Sequence, residues 1–151
     1  MMTIQFSTKI FSQADVSNPK QIKTSLATLL AQGSDCLVLA YSKADLDALK
    51  TAKSKSGLLV DLDRLLNGSV THANLVGDLD DQQASSCMIR AEKSWAASGV
   101  KVKRILLVCL GDIVTASARS LNAYSKIARA ALKHLSGGPI QNALWFIPSF
   151  A

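Results

Sequence analysis

Apolar and polar positions alternate along this chain between two periods. Asp35-Cys36-Leu37-Val38-Leu39-Ala40-Tyr41 and Lys103-Arg104-Ile105-Leu106-Leu107-Val108-Cys109-Leu110 are short runs, apolar on both faces. Such runs predict strands buried on both sides, as in a sheet covered by helices. The second run stops at Gly111-Asp112 and is expected to be the central strand. Weaker strand signals lie at Thr3–Phe6, Ser85–Ala91 and Ala143–Ile147.

Helical spacing fills the intervals. Pro19 opens a helix over Lys20–Gln32, with Ile22, Leu26, Leu29 and Leu30 on one face and Gly33 placed to end it. Ser42 is a suitable N-cap for Ala44–Lys53, with Leu46 and Leu49 inward. Lys53–Gly57 breaks that pattern, and Leu58–Leu66 resumes it before Asn67-Gly68. Ser117–Leu135 is the clearest helix. Leu121, Tyr124, Ala128, Ala131, Leu132 and Leu135 recur at three- and four-residue steps, and Ser136-Gly137-Gly138-Pro139 stops it. Ser69–Gln83 reads as a poorly patterned, exposed loop, and Glu92–Val102 as a connection. Alternating strands and helices predict an α/β three-layer sandwich, its mixed sheet mostly parallel and covered on both faces.

Length and composition fit one domain. The 151 residues are 48% hydrophobic but only 5% aromatic, so the core must rest on Leu, Val, Ile and Ala. Mean hydropathy of +0.20 excludes a disordered chain. No run approaches the roughly 18 apolar residues of a membrane span, and the N-terminus lacks the pattern of a signal peptide. Cys36, Cys87 and Cys109 are odd in number, widely spaced and set in apolar segments. They read as buried free thiols in a reducing compartment, so a cytoplasmic location is expected.

Motifs for chemistry are sparse. His72 and His134 have no partner motif, and no G-x-S-x-G elbow or H-E-x-x-H is present. Asp61 with Asp63 falls on opposite sides of a helix, and Asp78, Asp80 and Asp81 lack a calcium-loop pattern. Gly111-Asp112 occupies a strand-to-helix corner where a phosphate could sit, though one glycine is a thin cradle. Charge says more. The chain carries +6, and no acidic residue follows Asp112. Arg119, Lys126 and Lys133, seven apart, form a stripe on the long helix, which Lys101, Lys103 and Arg104 could extend. These six are the candidate nucleic-acid-binding residues, against the plain alternative of a solvated polar face.

The segments Asp35-Cys36-Leu37-Val38-Leu39 and Arg104-Ile105-Leu106-Leu107-Val108-Cys109-Leu110-Gly111-Asp112 carry a resemblance. With the helix and strand that follow, they resemble the N-terminal domain of the leucyl aminopeptidases, cytosolic dinuclear-metal exopeptidases. Cys109 stands where that family's strand usually has glycine. The resemblance implies a macro-domain-like sandwich preceding a catalytic domain, absent from this chain, that holds two divalent metals (manganese or zinc). It also implies a homo-hexamer for the complete enzyme, with no catalytic or metal-binding residue in this portion. An apolar strand close to Ala151 with no closing helix is read as a fragment boundary. Two other functions stay open: a nucleic-acid-binding module using the basic helix, and a stand-alone binder of ADP-ribose or a nucleotide.

Overall fold

A computed structural model describes residues 5–11, 19–51, 57–111, 117–135, 140 and 142–148. Within them lie β1 (Gln5–Phe11), α1 (Pro19–Ala31), β2 (Cys36–Ser42), α2 (Lys43–Lys50), α3 (Leu58–Leu65), α4 (Ser69–Leu75), β3 (Ser86–Arg90), α5 (Lys93–Ala97), β4 (Arg104–Gly111), α6 (Ser117–Leu135) and β5 (Asn142–Pro148). The strands form one five-stranded sheet in the order β1-β5-β2-β4-β3. All neighbours are parallel except β3, which runs antiparallel to β4 at one edge. The middle strand is therefore β2, not β4, because β5 is inserted between β1 and β2.

Alternation along β2 and β4 sorts the core into two layers. Leu37, Leu39, Tyr41, Ile105, Leu107 and Cys109 face one way, against Leu26 and Leu30 of α1, Leu46 of α2, Leu59 and Leu62 of α3, and Trp95 of α5. Cys36, Val38, Ala40, Leu106, Val108 and Leu110 face the other way, against Ile127, Ala131 and Leu135 of α6. The molecule is thus a three-layer α/β sandwich with unequal outer layers. Both inner strands are covered on each side, which is why their sequences are apolar throughout.

Ser42 caps α2 as its sequence position requires. Its hydroxyl accepts from the Asp45 amide at 3.2 Å, and the Asp45 carboxylate accepts from the Ser42 amide at 2.9 Å, completing a capping box. Replacing Ser42 with alanine is expected to cost about 0.5–2 kcal/mol in urea denaturation. A loss below a tenth of that range would mean the box contributes nothing. The helix stops at Lys50, three residues short of the expected Lys53.

Four expectations need correction. Ser69–Leu75 is a helix, not part of an exposed loop, and His72 lies on it. Its start is held by tertiary groups: Asp63 accepts from the Thr71 amide at 2.7 Å and from the Thr71 hydroxyl at 2.8 Å. Glu92–Val102 contains the short helix α5, which Trp95 pins into the core. On α6 the buried positions include Ile127, Ala131 and Leu135, while Leu132 is 44% exposed. Steps of four centre the buried stripe on residues 127, 131 and 135, and Leu132 sits about 100° round the helix from Ala131. The first strand, Gln5–Phe11, extends five residues beyond the expected end at Phe6, while Thr3 and Ile4 lie outside the described residues. No helix among the described residues is long and apolar enough to cross a membrane.

Candidate anion-binding surface

The six basic residues singled out in the sequence do not form one cluster. Lys101 is exposed just before β4, and its amide donates to the Leu30 carbonyl at 2.8 Å. Lys103 is exposed and pairs with Asp35 at 3.5 Å. Arg104 begins β4 and is half-buried. Lys126 and Lys133 are exposed on α6. Arg119 lies on the same helix, but its side chain falls outside the described residues.

Lys126 donates to the Gln83 side chain at 3.1 Å, and Gln83 in turn donates to the Leu110 carbonyl at 3.3 Å. This tie places Lys126 at the C-terminal end of β4. Lys103 and Arg104 stand at the other end, roughly 20 Å away at the usual rise of a strand. Lys133 lies two turns further along α6, about 10 Å from Lys126. The basic groups are spread over both outer layers: Lys101 sits against α1 on one face of the sheet, and Lys126 and Lys133 ride on α6 on the other.

At the N-terminal end of β4 the structure adds a group that the sequence reading missed. The antiparallel register sets Arg90 of β3 directly opposite Arg104. Arg90, Lys103 and Arg104 line a solvent-open cavity of about 290 Å³ together with Asp35 and Ala91. Finding Arg90 from sequence would have required both the direction and the register of the edge strand.

A second unforeseen contact joins Ser86 Oγ to His134 Nε2 at 2.7 Å. It ties β3 to the last turn of α6. Among the described residues no carboxylate holds the ring, so the pair lacks the orienting third group of a hydrolytic triad.

The thiols are poorly placed for reactivity. Burial pushes Cys36 up to about 11, with Arg104 opposing that rise only in part. Burial also raises Cys87 and Cys109, so all three free cysteines stay protonated near neutral pH. Tyr41 is raised by burial as well, while its hydroxyl donates to the Asp80 carbonyl at 2.8 Å.

The described residues do not fit a divalent metal. No group of three or more His, Cys, Asp or Glu side chains comes together among them. Asp35, Asp61 and Asp81 pair with Lys103, Arg64 and Lys43, and Asp45 and Asp63 serve helix starts. At the glycine corner, Gly111 has φ of +77°, and a Cβ there would lie 3.2 Å from that of Gln83. Residues 112–116, which would complete any phosphate cradle there, are outside the described set.

Compared as a whole, the chain matches no protein-family model and no curated protein.

Proposed function

We propose that this chain is the N-terminal, non-catalytic domain of a leucyl-aminopeptidase-like exopeptidase. One observation carries the reading. The two segments that bear the resemblance lie far apart in sequence, yet they are adjacent parallel strands, paired from Cys36 with Arg104 through Leu39 with Leu107. They form the buried heart of the sandwich that the resemblance implies. The reaction of the complete enzyme would be metal-assisted release of N-terminal residues, leucine preferred, from peptides. Its metals would be held elsewhere in the polypeptide, as the resemblance implies, and among the described residues no group of three or more His, Cys, Asp or Glu side chains comes together.

The domain itself would serve assembly or active-site access in a cytoplasmic homo-hexamer. Buried free thiols accord with a reducing compartment. Leu75 and Val76 at the end of α4 are 77% and 57% exposed, which suits a surface that the catalytic portion covers. DNA contact through the basic residues is a further role for the same domain, and the separation of these lysines and arginines makes a continuous phosphate track the weaker reading.

The test is hydrolysis of leucine p-nitroanilide with manganese. The complete natural polypeptide is expected to release nitroaniline, and residues 1–151 alone to release none above buffer. Turnover by residues 1–151 alone, or a natural polypeptide that ends at Ala151 and hydrolyses nothing, would sink the reading.

A further inference from the structure

Like charges directly opposite across a strand pair destabilise a sheet, and Arg90 faces Arg104 in that relation. Antiparallel partners stand about 4.5–5.5 Å apart at Cα, so both guanidinium groups emerge from nearly one point. Neither makes an ion pair among the described residues. The ion pairs among the described residues are Lys43–Asp81, Arg64–Asp61 and Lys103–Asp35, and none includes Arg90 or Arg104. Along β3, Cys87 and Ile89 point to one core layer and the partly buried Met88 to the other. Arg90 and Arg104 therefore project on the same face as Met88 and Leu106, the side covered by α6.

The surroundings define what such a pair can hold. The cavity is about 290 Å³ and open to solvent, enough for one tetrahedral oxyanion and a few attached atoms. Its ionisable lining is Arg90, Lys103, Arg104 and Asp35, three cations and one carboxylate, a net charge of +2. Lys103 is already engaged by Asp35 at 3.5 Å, which leaves the two arginines as the available donors. Planar guanidinium groups grip phosphate oxygens two at a time, which an ammonium cannot do. Arg104 is half-buried, so its charge is less screened than that of a surface lysine.

We propose that Arg90 and Arg104, with Lys103 at the rim, form a binding site for a single phosphate dianion at the N-terminal end of β4. The ligand is inorganic phosphate or the terminal phosphate of a small monoester. This site is independent of the peptidase reading and stands or falls without it.

The experiment titrates the purified chain with inorganic phosphate at constant ionic strength set by sodium chloride, following the arginine side-chain N–H resonances by NMR. Saturable shifts confined to two arginines are expected. Arg90→Lys and Arg104→Lys keep the charge and lose the fork, and each should weaken binding about tenfold or more with the melting temperature unchanged. Glycerol phosphate distinguishes the sources: tighter binding than inorganic phosphate assigns a monoester, weaker binding the free ion. Shifts that fail to saturate, or lysine variants that bind as tightly as the parent, overturn the site. So does duplex DNA that engages these arginines while phosphate alone does not.

Discussion

Trp95→Ala is expected to destabilise the domain by about 3–5 kcal/mol, the range for emptying a buried aromatic position. Trp95 is only 1% exposed although its helix has just five residues. Its indole N–H donates to Ser69 Oγ at 3.0 Å, and that hydroxyl donates onward to the Leu66 carbonyl at 2.8 Å. The Val100 amide donates to the Trp95 carbonyl at 3.0 Å, closing the turn before β4. Truncation therefore opens a void beneath α4 and α5 and removes the donor to a buried hydroxyl. For a domain of this size the melting temperature should fall by about 10 °C or more. Trp95→Phe keeps most of the volume and loses the hydrogen bond, so its loss should be about 1–3 kcal/mol. An alanine variant that melts within 2 °C of the parent would show that α5 is not anchored here.

Alkaline destabilisation should be nearly as large. Cys36 is fully buried, and its pKa is raised from 9.0 to about 11. The sign follows from proton counting. Above pH 9 the unfolded chain loses the thiol proton while the folded chain keeps it, so the unfolded state is favoured as pH rises. The stabilisation from this group is complete below pH 9 and is lost as pH climbs through 11. At 1.36 kcal/mol per unit the loss is about 2–3 kcal/mol. Tyr41, Cys87 and Cys109 are shifted in the same direction and add to it. Comparing the parent with Cys36→Ala by urea denaturation at pH 8 and pH 11 isolates the one thiol, because every other ionisable group is common to both proteins. The parent should lose about 2–3 kcal/mol more than the variant. Parallel losses would place Cys36 in contact with water.

The inner strands could be read because their environment is written into every residue: six consecutive apolar positions on β2 and six on β4 are all buried. Helix ends were legible where a local group makes them, as at Ser42. By contrast α4 begins at Ser69 with no side-chain cap and contains Val70 and Thr71, poor helix formers. Its stability comes from Asp63 and from packing, neither of which has a local signal. The site divides in the same way. Lys103 and Arg104 could be marked as basic beside a strand, but Arg90 acquires its meaning only from the antiparallel register of β3. The expected stripe on α6 treated spacing along one helix as if it were proximity to the groups before β4, and the sheet sets them apart.

The last strand lies between the first and the middle one, and β1 touches the sheet through β5 alone. During synthesis this order imposes a wait. The nascent β1 has no partner until Asn142–Pro148 has left the ribosome, and until then β2 presents a bare edge. Closure of the sheet therefore happens in one late step that seats two strands together. A peptide corresponding to β5, supplied to a chain stopped before residue 142, should restore both pairings at once.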